Sequence, residues 1–160
     1  ISSFYFGHSF FDKQLLARNF QISRGRTEIL LSEISVGDLL NRNEYLSVSK
    51  NIKKVDLLRK FEKSGFTEAY FVDDRGKLLG KAKVNSVLSA KSKGLIEDAK
   101  PLFLLEDSNI SDAILKISNF IGESVPVVNN KGLLKGVITE ADLFQQYIQV
   151  QEEISHIEKD

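Results

Sequence analysis

The chain has 160 residues, 42% apolar and 28% charged, with 22 Lys and Arg balanced by 22 Asp and Glu. That balance argues against a nucleic-acid binder driven by bulk charge, and the length suits one domain or two small ones sharing a core. There is no Cys, which excludes disulfides, thiolate metal sites and a Cys nucleophile, and the two His, His8 and His156, are too few for a His-based triad or a multi-His metal site.

Residues 1–33 read as an N-terminal linker. It opens on an aromatic run, Phe4-Tyr5-Phe6-Gly7-His8-Ser9-Phe10-Phe11, suited to facing membrane helices or a partner. The chain begins at Ile1 and holds no Met, so a piece of a longer protein is expected. No apolar run approaches the ~20 residues of a membrane helix, and no signal peptide is visible. Leu46–Val48 reads as a short strand. Lys53–Ser64 has helical spacing in Leu57, Leu58 and Phe61, with a charged wet face and Gly65 at its end. Ala69–Asp73 is a buried strand, Asp74-Arg75-Gly76 a turn, Leu78–Lys83 a strand and Asn85–Ala90 a short helix. Residues 91–100 link the two halves of the chain. Pro101–Leu105 is a strand and Asn109–Ile121 a helix capped by Asn109 or Ser108. Ser124–Asn129, the turn Asn130-Lys131-Gly132 and Leu133–Thr139 give a second strand–turn–strand. The last helix starts near Glu140 and runs past Ile154, with Leu143, Phe144, Tyr147, Ile148, Val150 and Ile154 as its stripe.

These elements repeat at a constant offset of 56 residues, Gly76 to Gly132. Arg75-Gly76-Lys77-Leu78-Leu79-Gly80 follows Ala69-Tyr70-Phe71-Val72, as Lys131-Gly132-Leu133-Leu134-Lys135-Gly136 follows Val125-Pro126-Val127-Val128. Leu57, Leu58 and Phe61 align with Ala113, Ile114 and Ile117, and Leu46 and Val48 with Leu102 and Leu104. Such a repeat means two copies of one unit that bury their apolar faces together. The expectation is a mixed α/β (α+β) fold. Its two copies, each strand-helix-strand-strand-helix, pack as a pseudo-twofold pair with ligand-sized clefts between them.

The pattern over about residues 34–151 resembles a tandem pair of CBS domains, the Bateman module. Gly136-Val137-Ile138-Thr139-Glu140-Ala141-Asp142 is similar to the family's Gly, two apolar, Ser or Thr, two variable, Asp signature, and Val125-Pro126-Val127-Val128 to its apolar-Pro-Val-Val strand. The resemblance divides the chain into a first repeat at 34–92, an inter-repeat linker at 93–100 and a second repeat at 101–160. Ser9-Phe10-Phe11-Asp12-Lys13-Gln14-Leu15-Leu16-Ala17-Arg18 and Ser23-Arg24-Gly25-Arg26 resemble the stretch that joins the last membrane helix to the CBS pair in bacterial ClC-type chloride channels and transporters.

That resemblance implies a cytoplasmic regulatory domain whose partner is its own membrane-embedded channel or transporter domain, and a homodimer built on helix faces such as Leu143–Ile148. It implies one adenine nucleotide, ATP, ADP or AMP, in an inter-repeat cleft. A helix N-terminus offers free N–H groups and a positive dipole end to phosphate. Thr139 would then stand near the phosphates, and Asp142 would accept the ribose hydroxyls. Ile138 belongs to the same strand end. Tyr45 and Leu46, with Phe66, Thr67 and Ala69, would hold the adenine, Phe66 by stacking. Each assignment has a plain structural counterpart. Thr139 and Asp142 also make an ordinary helix cap, and Phe66 an ordinary core residue. The first copy has Lys83 and Ser86 where the second has Thr139 and Asp142, so no ribose site is expected there. Lys83 reads as solvated among Lys77, Lys81 and Lys91. Glu68 would repel phosphates if it faced them. No catalytic or metal residues and no nucleic-acid partner are expected. The rival readings are a CBS pair that binds nothing and serves assembly, and a CBS pair from another transporter or an enzyme.

Overall fold

Two lengths of chain with the same order of apolar strands and amphipathic helices fold into two copies of one unit. The computed structural model describes residues 25–40, 43–91, 94–120 and 123–159, so the aromatic run, His8 and the stretch 9–18 lie outside the described residues. Helix α1 (Arg26–Glu33) and a 3₁₀ turn (Val36–Leu39) come first. The first repeat follows as β1 (Leu46–Ser49), α2 (Lys54–Ser64), β2 (Glu68–Val72), β3 (Leu78–Lys83) and α3 (Val84–Ser89). The second is β4 (Leu104–Leu105), α4 (Ile110–Ile117), β5 (Val125–Val128), β6 (Leu134–Ile138) and α5 (Glu140–Lys159). Two elements are shorter than the sequence suggests. Pro101, which has no N–H to pair, precedes a strand reduced to two residues. Helix α4 stops before Ser118, whose N–H and hydroxyl both bond the Leu115 carbonyl.

Each repeat forms a three-stranded sheet, ordered β1-β2-β3 and β4-β5-β6. The outer strand runs parallel to the middle one, and the third antiparallel to it. The registers are equivalent: Val48 faces Phe71 as Leu104 faces Val127, and Phe71 faces Gly80 as Val127 faces Gly136. Both β-hairpins slip at the same step, between Phe71 and Val72 and between Val127 and Val128. The two hairpin turns are also alike. Asp73 Oδ1 accepts the N–H groups of Arg75 and Lys77, as Asn129 Oδ1 accepts those of Lys131 and Leu133. Gly76 (φ 89°) and Gly132 (φ 81°) take the left-handed conformation the turn needs. The turns then bind each other reciprocally: Leu78 N–H donates to Gly132 O (3.0 Å) and Leu134 N–H to Gly76 O (2.9 Å). This exchange marks the pseudo-twofold relation.

Strand alternation divides the buried residues. Ala69 and Phe71 join Leu57, Phe61 and Val87 in the first core, while Val125 and Val127 join Ile110, Ile114, Leu143 and Tyr147 in the second. Tyr70, Val128 and Val137 are buried outside both cores, on the opposite strand faces. The face Leu143–Ile148, expected to meet a second copy, is used within the chain. Leu143 and Tyr147 lie in the second core and Ile148 packs against it. Leu143 and Tyr147 are therefore committed within the chain, while Phe144 and Ile148 stay half-buried.

The segments before the repeats are crossed over. Residues read as a linker form α1, and Leu31, Val36 and Leu39 belong to the core of the second repeat. Val36 and Gly37 donate to the carbonyls of Ser108 and Glu106 (2.8 Å each). Gln151 Nε2 donates to Thr27 Oγ1 (2.7 Å), pinning α1 to α5. In return the inter-repeat linker serves the first repeat. Leu95 lies in its core, Ile96 packs against it, and Lys81 N–H bonds Asp98 O at the edge of β3. Leu39-Leu40 and Leu95-Ile96 are themselves one repeat offset apart, and each pair covers the other unit. Gly80 and Gly136 exist for this contact. A Cβ on Gly80 would meet Ile96 Cγ2 at 2.5 Å, and one on Gly136 would meet Leu40 Cδ2 at 2.9 Å.

Candidate functional site

Ile138 closes β6 inside the second core, and Thr139 turns the chain into α5. Thr139 Oγ1 accepts the N–H of Asp142 (3.1 Å), while Asp142 Oδ2 accepts the N–H of Thr139 (2.8 Å). The two residues make a reciprocal capping box, so the capping role open at the sequence level is real. Capping does not exhaust them. Thr139 accepts in this pair and keeps its hydroxyl proton to give. Asp142 is 8% exposed, and its Oδ2 takes a second donor, Asn43 Nδ2, at 2.7 Å. Among the described residues its Oδ1 takes no hydrogen bond. A carboxylate, the positive end of a 20-residue helix and a residue leading into the first repeat therefore meet at one point.

The first-repeat wall is built from the entry to β1 and from β2. Tyr45 is half-buried and meets the Tyr70 ring edge-on, centroids 6.3 Å apart. Tyr70 crosses to the second repeat, its hydroxyl 2.6 Å from Ser124 Oγ. Burial pushes the Tyr70 hydroxyl pKa well up, against the lowering by Ser124. Leu46 is half-buried beside Ala69, which lies fully inside the first core. Thr67 is exposed, and its carbonyl receives the Val84 N–H (2.9 Å), which ties the entry of β2 to α3. Phe66 is half-buried and is not part of the first core, so the plain core role fails. Asn43 thus reaches Asp142, and Tyr45 reaches Tyr70, which bonds Ser124 of the second repeat. No hydrogen bond or ring contact joins the Phe66 or Thr67 side chain to the second repeat among the described residues. Asn43 and Tyr70 were missed by the sequence. No local pattern marks Asn43, whose partner is 99 residues away. Tyr70 carried one signal, a hydroxyl in a run of otherwise apolar strand residues.

Beside Tyr70, on the same face of the first sheet, lie two charged side chains. Lys81 is partly buried: its ammonium lies 5.3 Å from the Phe120 ring centroid and 3.9 Å from Glu68 Oε2. Glu68 is 6% exposed and neither of its oxygens has a hydrogen-bond partner in the described structure. Its charge leans on Lys81, a pairing that offsets part of a large desolvation cost. Lys83 is exposed as expected, its backbone N–H bonded to Glu97 Oε1 (3.2 Å), and Ser86 brings no carboxylate.

Two open grooves lie elsewhere on the first repeat. One of about 600 Å³ runs between β1 and α2, lined by Ser47, Ser49, Asp56, Arg59, Lys60 and Lys63 among others. Another of about 360 Å³ lies beside Phe71, Leu95 and Ile96. Neither touches Thr139 or Asp142. Among the described residues no cluster of three or more His, Asp or Glu could hold a metal, and no helix is long and apolar enough to cross a membrane.

Residues 96–148 match the family model of the CBS domain. No curated protein matches the sequence. Among solved structures, a CBS domain pair/ACT domain protein from Thermotoga maritima superposes with a TM-score of 0.61 at 18% identity, over 72% of this chain and 98% of that one. CBSX2 in complex with AMP gives 0.61 at 21% identity, over 74% and 98%. The cytosolic domain of the Mg²⁺ channel MgtE in complex with ATP gives 0.62 at 20% identity, over 74% of this chain and 51% of that one. The fold is that of a CBS domain pair.

Proposed function

We propose that this chain is a ligand-sensing regulatory domain that takes an adenine nucleotide in the inter-repeat cleft at Asp142. The observation that carries the reading is the buried Asp142 carboxylate at the N-terminus of α5, in contact with Asn43 where the chain enters the first repeat. A ribose hydroxyl meets an acceptor there, and phosphates meet the Thr139 hydroxyl and the helix dipole. Tyr45, Leu46, Phe66 and Thr67 form the adenine side in this reading, while Ala69 and Ile138, closed within the two cores, stand behind it. That CBSX2 was crystallised with AMP and the MgtE domain with ATP supports an adenine ligand. Binding acts only by favouring one arrangement of the two repeats over another. The wider setting we infer is the cytoplasmic side of a ClC-type chloride channel or transporter, supported by the resemblance of residues 9–18 and 23–26. A transport partner in general is supported by the likeness to a channel's cytosolic domain.

The test is thermal unfolding with AMP, ADP, ATP and a guanine nucleotide, with and without Mg²⁺. A ligand at ~100 times its Kd stabilises by about 2.7 kcal/mol, a rise of roughly 5–10 °C at this size. The Asp142→Asn variant keeps an acceptor for the Thr139 N–H but loses the charge, so it keeps the cap and loses the rise. No rise with any nucleotide leaves Thr139 and Asp142 as capping residues only.

One observation favours a second reading, assembly. Phe103, Leu105 and Leu115 are exposed on the second repeat at positions where the first has Ser47, Ser49 and Arg59. Light scattering over a concentration series tests it, and a monomer throughout counts against it.

A further inference from the structure

We propose that Asn43 is a built-in competitor for the ligand carboxylate: its side-chain amide holds the oxygen of Asp142 that a ribose hydroxyl would take, so nucleotide entry exchanges one hydrogen bond for another and loosens the chain between the repeats. The proposal rests on the nucleotide reading of this cleft. Its basis is a distance and a position. Asn43 Nδ2 lies 2.7 Å from Asp142 Oδ2, the oxygen that also accepts the Thr139 N–H at 2.8 Å. Two donors fill that oxygen. A ribose presents two adjacent hydroxyls and needs both carboxylate oxygens to receive them in parallel. Oδ1 is open to one; Oδ2 opens to the other when Asn43 leaves.

The position gives the exchange a consequence. The chain before Asn43 belongs to the second repeat: Val36 and Gly37 bond the carbonyls of Ser108 and Glu106, and Leu40 packs on Gly136 of β6. The chain after it belongs to the first, since β1 starts at Leu46 and pairs with β2. Asn43 is thus the last fastening of the leading segment to the second repeat before the chain crosses over. Backbone bonds, apolar packing and the Gln151–Thr27 side-chain bond make the earlier fastenings, and a ligand does not compete for them. The Asn43 amide alone in this series grips a group assigned to the ligand. The other cleft has no counterpart, because Ser86 stands where Asp142 would and Ala99 where Asn43 would. Exchange at Asn43 therefore reports nucleotide to α1 and the 3₁₀ turn from one cleft only.

The experiment is a calorimetric titration of the chain with AMP and with ATP, for the unchanged protein, Asn43→Ala and Asn43→Ser. Side-chain amide signals of Asn43 are followed by NMR in the unchanged protein. Removing the competitor should tighten binding about tenfold, what one hydrogen bond to a charged group is worth, with Asn43→Ser between the two. The Asn43 amide signals should shift on addition of the nucleotide. Affinity that stays the same or falls in Asn43→Ala overturns the proposal, as does an Asn43 amide that nucleotide leaves unmoved. If neither the unchanged protein nor the variants bind AMP or ATP, the nucleotide reading itself fails and takes the exchange with it, an outcome distinct from binding that is merely not tightened.

Discussion

At the junction where the third strand of each unit turns into a helix, the first repeat has Lys83 and Ser86 and the second has Thr139 and Asp142. The backbones there are equivalent, down to a helix starting at Val84 and at Glu140. The side chains are not. Lys83 gives α3 no side-chain cap, and α3 lasts six residues. Thr139 and Asp142 cap α5 from both sides, and α5 runs for 20. The partner differs in step: Asn43 bonds Asp142, whereas the position equivalent to Asn43 holds Ala99, which has no amide to offer Ser86. Duplication supplied two equivalent strand–helix junctions, and only the second carries a capping Thr and Asp.

The crossed segments give the sharpest way to test how far the equivalence goes. Gly80 and Gly136 are equivalent glycines, but their neighbours differ in stiffness. A Cβ at Gly80 would lie 2.5 Å from Ile96 Cγ2 and 2.6 Å from the backbone carbonyl of Asp98, and that carbonyl is held by Lys81 N–H. At Gly136 the clash is with Leu40 Cδ2, the far end of a flexible side chain, at 2.9 Å. Gly80→Ala should cost about 3 kcal/mol and Gly136→Ala about 1 kcal/mol, read as denaturant midpoints at constant slope. Equal losses would mean that residues 95–98 yield as easily as a leucine side chain, and the crossed linker would then be no rigid part of the first sheet.

The same glycines show what the sequence made legible and what it did not. The offset was readable because turns, strands and helices all obey it: Gly76 and Gly132 are fixed by their backbone conformation and Phe71 and Val127 by burial. The strand end at Ile138 and the Thr139–Asp142 cap were readable too, since a strand end followed by a capping pattern is local information. The crossing was not read, although Leu39-Leu40 and Leu95-Ile96 carried the offset further upstream. In a Lys- and Glu-rich linker two apolar residues look incidental, and only a fold that exchanges segments makes them core. Helix α1 was read as linker because its helical spacing is weak. Thr27 and Leu31 owe their burial to α4 and α5, contacts that sequence periodicity does not encode. Asn43 is the extreme case, a loop residue whose role depends wholly on a partner in the other repeat.

A smaller contrast lies at the starts of α2 and α4. Asn109 Oδ1 accepts the Asp112 N–H at 2.8 Å, whereas Lys53, at the equivalent position, makes no capping bond. Helix α2 is held instead by Lys54, whose ammonium donates to the carbonyls of Leu88 (3.0 Å) and Ala90 (2.6 Å) at the end of α3. Asn109→Ala should therefore cost about 1 kcal/mol, and Lys53→Ala should stay within about 0.5 kcal/mol of the unchanged protein. Urea unfolding of the pair checks this. A Lys53→Ala loss as large as the Asn109→Ala loss would show that α2 depends on its N-terminal residue after all.

The smallest contrast is chemical rather than geometric. Asp73 and Asn129 hold their turns with the same bonds: Asp73 Oδ1 to the N–H groups of Arg75 and Lys77 (2.9 Å each), Asn129 Oδ1 to those of Lys131 (2.9 Å) and Leu133 (3.0 Å). Only Asp73 titrates. The Lys77 N–H, and after it the Arg75 N–H, favour the carboxylate and hold its pKa below the ordinary value. A carboxyl with a lowered folded-state pKa stabilises the fold above its unfolded pKa of about 3.9 and loses that contribution as pH falls through the folded value. Asp73→Asn should thus leave the unfolding temperature slightly lower at pH 7. The gap to the unchanged protein should close as the pH falls below 4, since the variant has nothing there to protonate. Unfolding scans between pH 7 and pH 2.5 test the sign. A gap that widens on acidification would mean that the turn is held by its backbone alone and that the carboxylate opposes it. Because these hydrogen bonds lie at the protein surface the difference is small, and the second repeat supplies its own control: Asn129→Asp should add a second acid-sensitive turn, with the pH dependence of stability steepening below pH 4.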